Sequence, residues 1–254
     1  MKRMLWLIFA GALFMLSAGR AEEEAPDQMG PKRDATSWIS SYAFNANDYS
    51  LPRILLVGDS ICKGYQQGVC QGLAGIATVS VFTTSQCLCD RSYLRALAYY
   101  LDEYDYAAIH INNGLHSLKS DRTDWERRLR AAIALIRERE PGTPIIWAST
   151  TPSKDPATTQ TVKALNAIAA QVVTDEKIPT NDLFALMDPM DRATVWRDIY
   201  HVTAEGSEML AAAVSAALRE TLNLETASAR QAKAALEGAN SEMGPDGKLT
   251  VTNK

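Results

Sequence analysis

Three short polar segments of this 254-residue chain could carry nucleophilic or acid–base chemistry. The first, Gly58-Asp59-Ser60-Ile61, follows the apolar run Ile54-Leu55-Leu56-Val57. A serine on such a strand-to-helix turn can present its hydroxyl to a crevice. Its amide, near a helix N-terminus, can face an oxyanion. Gly, Asp and Ser also form ordinary turns, so this segment alone decides nothing. The second is Asp198-Ile199-Tyr200-His201. A serine hydroxyl needs an imidazole base, and that base needs an acid to fix its tautomer. Of the three histidines, His110, His116 and His201, only His201 has a carboxylate three residues before it. The third is Asn112-Asn113-Gly114-Leu115-His116, whose amide and imidazole groups suit oxyanion donation, although Asn-Gly is equally a turn signal. His110 lies within an apolar run and reads as a core histidine.

Four cysteines, Cys62, Cys70, Cys87 and Cys89, are clustered in one part of the chain. Cys87-Leu88-Cys89 is C-x-C, which gives poor support to a zinc or thioredoxin motif, and no metal site is expected. An even count favours disulfides in an oxidising compartment. A direct Cys87–Cys89 bond would be strained, so the expected pairs join Cys62 and Cys70 to Cys87 and Cys89, with the partners left open.

The elements that must position these residues follow from periodicity. Short continuous apolar runs at 54–57, 79–82, 106–111 and 144–148 read as strands buried on both faces. Between them, Tyr93, Leu97, Tyr100 and Leu101 recur at helical spacing, as do Trp125, Leu129, Ala132, Ile133 and Ile136. Val162, Leu165, Ile168, Ala169, Val172 and Val173 make a third apolar face, and Met209, Leu210, Ala213, Val214, Ala217 and Leu218 a fourth. Strands alternating with helices predict an α/β fold: a three-layer α/β/α sandwich around a central parallel sheet. Functional residues of such sheets gather at the carboxyl ends of the strands.

Composition is that of a globular protein, with 46% apolar and 22% charged residues and a formal net charge of −4. No basic excess points to nucleic acid. Lys2 and Arg3, then an uncharged apolar stretch and Gly19-Arg20-Ala21, have the layout of a cleaved secretory signal. The stretch is shorter than the ~20 residues that span a bilayer, so no stable membrane insertion is expected after cleavage. The expected organisation is a signal peptide at 1–21, an irregular N-terminal arm at 22–50, one domain at 51–224, and a polar tail at 225–254. The tail reads as a frayed helix with an irregular end. The expected location is periplasmic or secreted.

In order and spacing, G-D-S-I, N-N-G-L-H and D-x-x-H-x-T-x-E-G resemble the motifs of the GDSL/SGNH hydrolase family, in its subset with an N-x-G-L-H third motif. Thr150-Thr151-Pro152 resembles a further recurrent segment. The resemblance covers about residues 53–222 and implies a flavodoxin-like α/β/α sandwich. It also implies a cofactor-independent serine esterase with Ser60 as nucleophile, His201 as base and Asp198 as the third member. Two departures stand out. His116 occupies the place where the family usually has Asn, so both Asn113 and His116 are candidates for the oxyanion hole. Ser85-Gln86-Cys87-Leu88-Cys89-Asp90 lacks the second motif's glycine, which makes the Cys89 or Cys87 amide the candidate donor beside that of Ser60. The implied substrate is a small acyl ester, acetyl above all, on a small molecule or a glycan. The alternatives are an O-acyltransferase with the same triad, or an inactive carbohydrate-binding or envelope protein on the same fold.

Overall fold

The structure is a computed structural model that describes residues 36–222 and two short strands at 241–243 and 249–251. The expected signal peptide at 1–21 lies outside the described residues, as does most of the tail. Within the tail, Ser241–Met243 and Leu249–Val251 pair antiparallel, where the sequence suggested a frayed helix and an irregular end.

Among the described residues six strands form one sheet: β1 (Ile39–Ala43), β2 (Arg53–Gly58), β3 (Thr78–Thr84), β4 (Ala108–Ile111), β5 (Ile145–Ala148) and β6 (Thr180–Asn181), in the order β1-β3-β2-β4-β5-β6. All neighbours are parallel except β1, which runs antiparallel to β3 along one edge. The sheet is therefore mixed rather than wholly parallel, and the arm expected to be irregular contributes a strand. The polar Ser40 and Ser41 inside β1 hide it from an apolar-run reading. An edge strand needs no second apolar face.

Among the described residues seven helices cover the sheet: α1 (Ser60–Gly72), α2 (Tyr93–Leu101), α3 (Arg122–Arg139), α4 (Pro156–Asp175), α5 (Leu183–Met187), α6 (Arg192–Val195) and α7 (Ala204–Leu222). Side chains of each strand alternate between two cores. Leu55, Val57, Ile109, Ile111 and Trp147 pack with α2, α3 and α4 on one face. Ile54, Leu56, Ile146 and Ala148 pack with α1, α5 and α7 on the other. The outcome is the expected three-layer sandwich.

The α1–α7 contact matters most for chemistry, because α1 begins at Ser60 and α7 starts three residues after His201. A Cβ on Gly68 would lie 2.6 Å from Ala211 Cβ, and one on Gly72 only 2.5 Å from Ser215 Oγ. Only bare backbone at these turns lets the helices approach so closely, and that approach sets the distance between the elements carrying Ser60 and His201.

His110 is fully buried in β4, edge-on to Tyr65, with its Nε2 3.2 Å from Asn181 Nδ2. Burial disfavours the imidazolium and pushes its pKa down to about 4. An unfolded histidine titrates near 6.5, so between those values the unfolded chain takes up a proton that the folded one refuses. This contribution to stability is complete above ~6.5 and is lost as pH falls toward 4, by up to about 3 kcal/mol. Urea unfolding at pH 7 and pH 4.5 should therefore show a smaller loss in His110→Gln than in wild type. Equal losses in the two proteins would contradict it.

Candidate active site

Strand order reverses at β2, whose neighbours β3 and β4 continue the chain in opposite directions. Side chains after β2 and β4 thus open onto the crevice where such folds bind ligands. Asp59 caps α1, its carboxylate accepting the Ile61 N–H at 2.9 Å, and Ser60 follows as the first helical residue. Burial raises the Asp59 carboxyl above its ordinary range, opposed by the charge of His116 and by the Ile61 N–H.

Ser60 Oγ lies 2.8 Å from His201 Nε2, and His201 Nδ1 lies 2.8 Å from Asp198 Oδ2. Asp198 Oδ1 also accepts the N–H groups of Tyr200 at 2.9 Å and His201 at 2.7 Å. The half-exposed carboxylate thus closes its own turn as well as facing the ring. Its partial burial acts to raise the pKa, but the two amides and the imidazole outweigh it and hold the carboxyl down at about 2. Asp198 therefore stays ionised through the neutral range. With Nδ1 donating to Asp198, Nε2 is left to accept the Ser60 hydroxyl proton. The arrangement can activate a hydroxyl for attack on a carbonyl.

Two structures hold the His201 turn. Trp196 and Val202 form an antiparallel bridge, and the Arg197 N–H donates to His201 O at 3.0 Å. From the β5 side, Ser153 Oγ donates to Ile199 O at 2.8 Å, and buried Trp196 donates its indole N–H to Pro152 O at 3.2 Å. The Thr150-Thr151-Pro152 segment thus leads into a clamp on the catalytic turn. Sequence reasoning missed Ser153 and Trp196, because their partners are more than forty positions away.

The third segment divides its labour. Asn113 is 2% exposed, and its amide is spent on structure. Nδ2 donates to Gln86 O at 2.9 Å, while Oδ1 accepts Leu88 N–H at 3.1 Å and Ser117 Oγ at 2.7 Å. It clamps the 85–90 loop to the end of β4. Asn112 ties β4 to β5 by donating to Ala148 O at 2.7 Å. His116 stands half-buried on a short turn, Leu115–Ser117, close enough to Asp59 for its charge to act on that carboxyl. In the 85–90 loop, the Cys87 N–H is taken by Asp90 Oδ2 at 3.1 Å. That points away from Cys87 as an oxyanion donor and leaves the Cys89 amide as the candidate there.

All four cysteines are free thiols, contrary to the expected crosslinks. The reason is topological. Cys62 packs on the α1–α7 face of the sheet, with Cys70 against the same cluster, whereas Cys87 and Cys89 pack on the α2–α3 face. The sheet stands between the two pairs. Within the loop, the Cys89 thiol donates toward Cys87, lowering the Cys87 pKa and raising its own.

No family model matches the sequence, and no curated protein matches it. Solved structures do resemble it. A GDSL-like lipase from Bacteroides thetaiotaomicron is 17% identical with a TM-score of 0.55, over 67% of this chain and 89% of that one. An acetylxylan esterase from Geobacillus stearothermophilus is 14% identical with a TM-score of 0.55, over 64% of this chain and 92% of that one. A lipase/acylhydrolase from Enterococcus faecalis is 18% identical with a TM-score of 0.57, over 68% and 97%. At such identities the likeness is one of fold: the chain has the α/β/α fold of the SGNH hydrolases.

Proposed function

We propose that the protein is a serine esterase of short acyl esters, acting by two-step acyl transfer. The observation that carries this reading is the unbroken hydrogen-bonded chain Ser60–His201–Asp198 at the carboxyl ends of the strands. His201 takes the Ser60 proton as Oγ attacks the ester carbonyl, and Asp198 stabilises the imidazolium. The tetrahedral oxyanion is held by the Ser60 amide at the start of α1, with the Cys89 amide and His116 as further donors. Collapse expels the alcohol with the proton from His201, and water then releases the acyl group by the same route. No step calls for a metal or cofactor. Export is part of the proposal, on the strength of the charged and apolar N-terminal residues.

The short acyl preference is supported by the likeness in fold to an acetylxylan esterase. A panel of p-nitrophenyl esters tests it. kcat/KM for acetate should exceed that for octanoate by at least about tenfold, since each unaccommodated methylene forfeits its burial. A preference for octanoate would contradict the proposal.

A further inference from the structure

A groove of about 390 Å³ opens beside Ser60 and runs between α1 and α7. Its size is within the ~300–1,000 Å³ of small-molecule sites. Ser60 and His201 form one end, and Gln71 and Glu208 belong to the helices farther along. The direction of proton flow decides which half of an ester can lie here. The imidazole that receives the Ser60 proton must return it to the departing alcohol, so that alcohol must sit within reach of His201 Nε2. The groove begins at that nitrogen, and Arg197, Val202 and Thr203, from the same segment, line it. The candidate oxyanion donors of the 85–90 loop and His116 do not line it, so the carbonyl oxygen faces away from it.

The walls indicate what kind of alcohol fits. The large apolar lining residues Ile61, Tyr65 and Val202 are themselves buried, between 2% and 8% exposed. The exposed side chains of the lining are Gln67 and Gln71 one turn apart on α1, Glu208 on α7 and Arg197, with the single methyl group of Ala204 the one apolar member. Two carboxamides offer donors and acceptors together, the carboxylate accepts, and the guanidinium donates. Gly64, exposed in the lining of the groove, puts no side chain in the way of a ring. An alkyl alcohol would cover these polar groups without replacing their bonds to water, a cost that a polyhydroxylated ring avoids.

We infer that the α1–α7 groove binds the alcohol half of the ester, and that its occupant is a polyhydroxylated carrier, a glycan chain selected by Gln67, Gln71 and Glu208. This assignment rests on the esterase reading and deepens it. The test compares wild type, the double variant Gln67→Leu/Gln71→Leu and Glu208→Gln on three substrates: p-nitrophenyl acetate, hexyl acetate and O-acetylated cellotetraose. Leucine keeps the helix propensity of glutamine while removing the amide. Wild type should prefer the acetylated oligosaccharide to hexyl acetate in kcat/KM. In the double variant that preference should fall about tenfold or more, mainly through KM, as expected when binding contacts are lost. Glu208→Gln should lower it in the same direction by a smaller factor. Unlabelled cellotetraose should inhibit wild-type p-nitrophenyl acetate hydrolysis competitively, and the double variant less. If wild type hydrolyses p-nitrophenyl acetate but the preference is absent, or unchanged by all variants, the groove assignment fails while the esterase reading stands. If wild type hydrolyses none of the three, both fall.

Discussion

Ser60→Ala should leave the protein folded and lower kcat for short acyl esters by on the order of 10⁴–10⁶-fold. The structural cost is small, because the capping bond at the start of α1 is made by Asp59 and not by Ser60. The removed hydroxyl contacts His201 and belongs to no core cluster. The kinetic cost is large because the acyl-enzyme route loses its covalent step. What remains is binding and oxyanion stabilisation, which alone leave roughly 10³–10⁴-fold acceleration over water. Circular dichroism and thermal unfolding alongside steady-state kinetics check both halves. A folded variant with wild-type kcat would remove Ser60 from the chemistry.

His201→Ala should cost about as much, and the double variant Ser60→Ala/His201→Ala should be scarcely worse than either single one. Residues that act as a unit are non-additive, since without the base the hydroxyl has no means of activation. His116→Ala is the informative contrast. If its ring serves the oxyanion, the loss should be nearer ~10²–10³-fold, the usual cost of one such donor. A His116→Ala loss matching that of His201→Ala, with His201→Ala mild, would exchange the two assignments. The 2.8 Å contact between Ser60 Oγ and His201 Nε2 argues for the order given.

The features legible in the sequence are those written in local pattern. The run at 54–57 followed by Gly-Asp-Ser marked β2 and the turn into α1, because a strand buried on both faces is apolar without interruption. The D-x-x-H spacing was enough to bring Asp198 onto His201, since a carboxylate that closes an Asx turn meets the ring three residues later. Features that depend on distant partners were hidden. Asn113 looks like a free donor in sequence, yet its bonds go to residues of a loop some 25 positions earlier. The four cysteines look like natural partners by spacing, but α1 carries Cys62 and Cys70 on one face of the sheet, while the loop after β3 packs Cys87 and Cys89 into the core on the other. β1 carries too little apolar character to be read from its own residues and is defined by its pairing with β3. The clamp from Pro152 and Ser153 onto the His201 turn has no local signature at all.

A fluorophosphonate probe bonds covalently to a serine only when a base has activated the hydroxyl, so labelling reads out whether Ser60 is an activated nucleophile. Intact mass should report a single adduct on the wild-type protein, and peptide mapping should locate it at Ser60. Ser60→Ala should take up none, and His201→Ala should label far more slowly. A folded wild-type protein that stays unlabelled, or an adduct that persists in Ser60→Ala, would mean that Ser60 is not the nucleophile.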